Sequence, residues 1–164
     1  MAINYWIFNV KKDENRKYSR KGIEIYNHRM CKDHFWGIKE FTKSGRRTPN
    51  VTYLKREDNV LFYLVGEEGH CFLGTCVLDS SFRQLTNEEV KQLTHEEFLD
   101  WNQGVFLKDI EKWQKPLPIE SLRGKVSFVP ISQHYGSYLQ GSIKKISEFN
   151  YNTIIHEHIS QYQR

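Results

Sequence analysis

"NVLFYLVGEEGHCFLGTCVLDSS", Asn59–Ser81, is the stretch on which the fold turns. Two apolar runs, Asn59–Val65 and Cys71–Leu78, flank a "GEEG" rich in turn residues. Runs dense in Val, Leu, Phe and Tyr suit a pleated, buried surface, and the Gly-bounded break between them reads as the turn of an antiparallel hairpin. Gly74, inside the second run, marks a bulge or a close backbone approach.

Upstream, "INYWIFNV", Ile3–Val10, mixes aromatic and β-branched residues without polar alternation. It reads as a central strand of the same sheet, buried on both faces. "SRKGIEIYNHRMCKDH" reads as a helix with Ile23, Tyr26 and Met30 inward, and "FWGIKE" as a short strand or the edge of one. "TKSGRRTPN" is a loop by composition. Downstream, "TNEE" and "THEE" place Thr86 and Thr94 three residues before Glu89 and Glu97, two capping boxes that should each open a short helix. "GVFLKDIEKW", Gly104–Trp113, returns to strand-like alternation, with Val105, Leu107 and Asp109 on one face. "KPLPIESLRG" is a proline-punctuated connection with room for one helical turn, and "KVSFVPI" reads as another strand. The last helix is "SEFNYNTIIHEHISQY", with Ser147 as N-cap and Phe149, Ile154, Ile155 and Ile159 near one face.

Strands and helices do not alternate strictly, which argues against a doubly wound parallel sheet. The expected fold is α+β: a small, curved, largely antiparallel barrel with peripheral helices, one domain over 1–164. The chain has 164 residues, 38% apolar and 14% aromatic, enough for a single buried core. No apolar run approaches the ~20 residues of a membrane span, and Ile3–Val10 is too short for a secretory signal. With Cys31, Cys71 and Cys76 odd in number, reduced thiols in a cytoplasmic protein are expected. A monomer is the favoured state.

The search for chemistry is mostly negative. There is no HExxH, no GxSxG and no phosphate-cradling glycine loop, and no four Cys or His ligands converge by spacing. Neither cofactor nor metal is expected, and nothing marks an enzyme. What stands out is charge and aromaticity. The formal charge is +4, and six of the eleven residues in "KKDENRKYSRK", Lys11–Lys21, are basic. "KSGRR", Lys43–Arg47, adds three more. Such patches suit phosphate or are simply solvated faces. Close by, "DHFWGIKE" sets Trp36 directly before Gly37. Trp36 is either a core residue followed by a turn or one wall of a pocket. A wall of that kind beside a basic loop suits a nucleobase lifted from its strand.

Several segments, in order, resemble the EVE domain, a member of the PUA-like superfamily that also holds the YTH domains. "YWIF", Tyr5–Phe8, is similar to the family's opening strand, and "FWGIK", Phe35–Lys39, to its Trp-Gly-Val/Ile segment. "YLKREDNVLFYLV", Tyr53–Val65, is similar to its Lys-x-Gly-Asp stretch, although Glu57 stands where Gly is usual. "FLGTCVLDSS", "PIESLRGKVSFV" and "ISEFNYNTII" continue the likeness to about Ile155. The resemblance implies a PUA-like barrel with an aromatic-lined pocket and binding of DNA or RNA carrying a modified, for example methylated, base. It implies that Trp36 is a cage wall and that Gly37 and Ile38 offer backbone hydrogen bonds. Asn9 would sit near the pocket mouth, Asn50 would read a base edge, and Tyr63 would be pocket or core. Phe128 leans to core. Lys11, Lys39, Lys43, Arg46 and Arg47 would meet phosphate. The competing readings are an enzyme acting on a small nucleotide and a protein-interaction subunit using its aromatic surface.

Overall fold

A computed structural model describes residues 2–14, 19–28, 34–42, 44–66, 69–92, 102–129 and 142–162. In chain order these form β1 (Tyr5–Val10), β2 (Asp13–Glu14), β3 (Ser19–Arg20), α1 (Gly22–His28), β4 (Phe35–Gly37) and β5 (Asn59–Leu64). There follow β6 (Cys71–Leu78), β7 (Arg83–Gln84), α2 (Asn87–Gln92), β8 (Gln103–Pro118), β9 (Ile143–Ile146) and α3 (Glu148–Tyr162). Short 3-10 turns sit at Val51–Tyr53 and Ile119–Leu122. One curled sheet runs β4-β8-β6-β5-β1-β9, with β7 also on β8; β2 and β3 pair separately.

The hairpin expected from Asn59–Ser81 is present: β5 and β6 are antiparallel, and β1 lies beside β5 in the same sheet. The β1–β5 pair is parallel, with Tyr5 opposite Asn59 and Val10 opposite Leu64, while the sheet's other pairs are antiparallel. Alternation along β1 and β5 divides the core into two layers. Trp6, Phe8, Val10, Val60, Phe62 and Leu64 face one, together with Tyr26 of α1. Ile7, Leu61 and Tyr63 face the other, together with Trp113 and Ile154 of α3. Both faces of the central strands are therefore covered, as the consecutive apolar residues Tyr5–Phe8 in β1 require.

Gly74 is where the sheet bends. Its φ is +155°, and a Cβ there would lie 2.2 Å from the Glu111 carbonyl oxygen. The β6–β8 register slips beside it, between Phe72 and Gly74, and the β5–β6 register slips between Phe62 and Tyr63. A second slip, between Thr75 and Val77, lies opposite Asp109, whose φ is 49°. That bulge breaks the alternation expected along Gly104–Trp113. Val105 and Leu107 are buried, but Asp109 is exposed. β8 also runs on through Pro118 into the 3-10 turn, through what the sequence suggested as a connection.

Other expectations need correction. "KVSFVPI" forms turns, not a strand, over its described part, since its backbone closes on itself: Gly124 N–H reaches the Val129 carbonyl and Val129 N–H the Val126 carbonyl. Phe128 is buried in the second core layer all the same. In α3 the buried side chains are Asn150 and Ile154, while Phe149 and Ile159 are exposed. The inward face is set by Asn150, which bonds Ser127 Oγ at 2.9 Å, and by His158, stacked on Trp113 at 3.8 Å. Ser147 does cap α3, accepting from the Asn150 N–H at 3.0 Å. In α1 it is Ile25 and Tyr26 that are buried, with Ile23 partly so. Met30, Cys31 and the Thr94–Glu97 box lie outside the described residues.

The first capping box closes as read. Thr86 N–H donates to Glu89 Oε1 at 2.9 Å, and Glu89 N–H donates to Thr86 Oγ1 at 3.2 Å. The Arg83 guanidinium, bonded to the same carboxylate, and the Thr86 N–H hold the Glu89 pKa down to about 2. A depressed carboxylate contributes stability above its ordinary unfolded value and loses it as pH falls through the folded one. The Glu89 amide in α2 should therefore lose hydrogen-exchange protection as pH falls from about 4.5 towards 2, with protection in β5 outlasting it.

Glu57 sits at the third position of a turn closed by Asp58 N–H to the Lys55 carbonyl, at 3.2 Å, with φ 77°. That geometry wants glycine. Glu57→Gly should exceed Glu57→Ala in unfolding free energy by about 1–2 kcal/mol, because only glycine relieves the left-handed backbone while both lose the exposed ion pair to Lys108. Equal denaturation midpoints for the two variants would contradict this account of the turn.

Candidate ligand pocket

A cavity of about 690 Å³ opens where the end of β1, the β4 edge and the start of β9 converge. Its walls include Trp36, Gly37 and Ile38 from β4 and the residues after it, Asn9 from β1, and Gln103 from the start of β8. The volume lies within the roughly 300–1,000 Å³ of small-molecule sites.

Trp36 arrives there because β4 pairs with β8, Trp36 opposite Val105 and Gly37 opposite Gly104. Gly104 makes the approach possible. Its φ is +156°, and a Cβ would lie 2.0 Å from the Trp36 carbonyl oxygen. The Trp36 ring packs edge-on against Phe62 at 5.0 Å and is only 6% exposed. The two readings of this residue thus merge: Trp36 belongs to the first core layer and also lines the cavity.

The remaining candidates separate. Asn9 is 7% exposed, lines the cavity, and its N–H is bonded to the Ser142 carbonyl at 3.0 Å. Lys11 and Lys39 are exposed at the rim. Ile38 lines the wall, but its N–H donates to the Gln103 carbonyl at 2.9 Å and is not available to a ligand. Asn50 does not line the cavity; with φ 69° it donates through Nδ2 to the Ile143 carbonyl at 3.2 Å, anchoring β9 instead of reading an edge. Tyr63 is a core residue on the opposite layer, 1% exposed, against Phe72 at 5.0 Å and His70 Nδ1 at 3.3 Å. The alternation in "VLFYL" carries that answer, since Phe62 lies under Trp36 and its neighbour must face away. Lys43 lies outside the described residues.

Arg46 and Arg47 are exposed on a loop, 40–48, whose base lines the cavity through Glu40, Phe41, Thr42 and Thr48. The loop is braced across its width. Thr42 N–H reaches the Arg46 carbonyl at 2.7 Å, Thr48 N–H reaches the Glu40 carbonyl at 2.7 Å, and Thr48 Oγ1 bonds the Lys39 carbonyl. Arg47 is committed locally, paired with Glu40 at 2.8 Å and lying 5.8 Å from the Phe41 ring centre. Arg46 and Lys39 have no ion-pair partner among the described residues. Phe41 itself, like Asn102 and Gln103, carries no signal in the sequence that would place it at this rim.

Titration is displaced elsewhere. Burial pushes the Cys76 and Cys71 thiols up and Tyr151 to about 12, and lowers His158; none of these lines the cavity. Cys71 and Cys76 are free thiols. Among the described residues no group of three or more His, Cys, Asp or Glu could hold a metal, and no helix is long and apolar enough to cross a membrane.

The architecture has solved counterparts. A hypothetical protein from Leishmania major matches with TM-score 0.61 at 18% identity, over 99% of this chain and 98% of that one. Human THYN1, solved in complex with 5-methylcytosine-containing DNA, matches with TM-score 0.59 at 10% identity, over 94% and 97%. The N-terminal domain of Staphylothermus marinus McrB matches with TM-score 0.51 at 12% identity, over 93% of each chain. These likenesses show the fold, an α+β domain built on a curled half-barrel sheet with three helices among the described residues. No protein-family model matches the chain, and no curated protein matches it.

The close approach at Gly104 has a direct consequence. Gly104→Ala should destabilise the protein by about 2–3 kcal/mol and alter the near-ultraviolet dichroism of its aromatic rings, because the methyl drives into the backbone behind Trp36. Gly45→Ala, at φ +83° but with open space around it, should cost about 1–2 kcal/mol and leave that spectrum unchanged.

Proposed function

We propose that this protein is a nucleic-acid-binding module of the EVE type that takes one modified base into the Trp36 pocket. The observation that carries the reading is the combination in one place: a cavity lined by Trp36, with Lys11 and Lys39 exposed among its lining residues and Arg46 exposed on the loop whose base lines it. An aromatic wall offers a base a stacking face, worth about 1–3 kcal/mol. The cations meet the phosphates that flank it. The DNA in the THYN1 complex supports the choice of methylated DNA as first probe. The strained φ of Glu57 supports the EVE assignment, since glycine is usual there in the family's pattern.

Residue roles follow from placement. Trp36 is the stacking wall, Asn9 supplies a polar group within the pocket, and Gly37 lets a base edge come near the backbone. A methyl group on the base would gain from apolar neighbours such as Ile25 and Ile143, which also line the cavity.

Binding of labelled single-stranded oligonucleotides, with and without one methylated base, tests the reading. The methylated strand should bind more tightly, and Trp36→Phe, which keeps a ring against Phe62, should weaken binding and narrow that preference. Lys39→Ala and Arg46→Ala should each reduce the slope of log affinity against log salt by about 0.7, one phosphate contact on a single strand. Unchanged slopes in both variants, or equal binding of methylated and plain strands, would refute the proposal.

A further inference from the structure

We propose that Phe41 is a second stacking platform, on the exposed border of the pocket, that holds the base next to the one Trp36 receives. The site would then read two consecutive nucleotides. This rests on the nucleic-acid reading above and adds a residue and a substrate length to it.

Phe41 is unusual for a large apolar residue. It is 53% exposed and is also one of the residues that line the cavity. Nothing in the core requires it, for it belongs to neither buried layer. Its position is nonetheless fixed. Phe41 and Arg47 form a β-bridge across the loop, and the bonds Thr42 N–H to Arg46 carbonyl and Thr48 N–H to Glu40 carbonyl close the loop on either side of it. The Arg47 guanidinium lies 5.8 Å from the ring centre and is itself pinned by Glu40 at 2.8 Å. An exposed ring that is held in place loses little freedom on binding, which is what a stacking partner needs.

The occupant follows from continuity and charge. Phe41 is part of the cavity's own lining, so a group that touches it lies beside whatever enters the pocket. Lys39 and Arg46 are exposed on either side of it in sequence, which suits a polyanion. A flat, apolar face in a cationic setting, one residue step from a base pocket, fits the flanking nucleobase of the same strand. Arg47 thereby takes a role different from phosphate contact: it braces the ring.

The test separates base from phosphate and separates this proposal from the one beneath it. Affinities are measured for 5-methyl-2′-deoxycytidine 5′-monophosphate, for dinucleotides carrying that nucleotide beside thymidine, and for the same dinucleotides with an abasic sugar in place of thymidine. N6-methyl-2′-deoxyadenosine replaces the methylated cytidine in a parallel set. The base-bearing dinucleotide should bind about tenfold tighter than the abasic one. Phe41→Ala should abolish that difference and Phe41→Tyr should keep it, each protein's own monophosphate affinity being the reference from which the gain is counted. Melting temperatures within a few degrees of the parent would establish that the variants are folded. A base-dependent gain that survives Phe41→Ala, or a gain equal for base and abasic partners, overturns the Phe41 proposal while leaving the pocket reading standing. Monophosphates that do not bind, or that bind without regard to Trp36→Phe, overturn both.

Discussion

The Asp58 carboxylate is the constraint on which the rest is hung. It is fully buried and accepts four hydrogen bonds: from Asn4 N–H at 3.0 Å, Trp6 Nε1 at 2.9 Å, Lys55 N–H at 3.1 Å and Lys55 Nζ at 3.2 Å. β1 and β5 are parallel neighbours, so the chain must leave the end of one and return to the start of the other by a long crossover. Asp58 ties that return, at the foot of β5, to the foot of β1. Each buried donor left without it would cost about 1–3 kcal/mol. The crossover it closes contains α1, β4 and the 40–48 loop, and as a whole it supplies most of the pocket lining. The pocket is therefore a by-product of a parallel pair that only a distant anchor can hold in register.

How much of this was legible depended on whether a signal was local. The hairpin, the buried central strand, the Thr86–Glu89 box and the Ser147 cap all rest on residues within a few positions of one another, and the structure has them. Failures arose where a side chain's surroundings came from far along the chain. "KVSFVPI" has strand-like residues, but its backbone bonds are used in turns that deliver Phe128 to a layer shared with α3. Phe149 and Ile159 fit a helical stripe, yet the face of α3 that meets the sheet is chosen by Asn150 and His158, through Ser127 and Trp113. The site behaved likewise. Trp36, Gly37, Ile38, Asn9, Lys11 and Lys39 share one cavity, while Tyr63 was lost to the opposite layer and Asn50 to an anchoring bond.

Trp36 belongs at once to the core and to the lining of the cavity. A pocket wall on a flexible loop would adapt to a ligand at an entropic cost; a wall that is also core is already in place. The arrangement has its own demand, that Phe62 and Gly104 keep their sizes, because they fix the ring from below and behind. The same economy explains the position of Glu57. A strained turn next to Asp58 is tolerated because the carboxylate and the Leu78 backbone hold both of its sides, Glu57 N–H to the Leu78 carbonyl at 2.9 Å and Leu78 N–H to the Asp58 carbonyl at 2.8 Å.

The charge at the mouth argues for a division of labour. The net charge of +4 is modest, and at the rim part of it is already spent, since Arg47 is bound to Glu40 and turned toward Phe41. Lys11, Lys39 and Arg46 are also exposed there; on the proposed reading they would orient a strand without holding it tightly by charge alone. On the proposed reading, most of the discrimination would then come from the pocket and its aromatic faces, base by base. Weak charge contact would serve that end. A strand bound loosely along its backbone would be released and resampled until a base that fills the cavity beside Trp36 slows its departure.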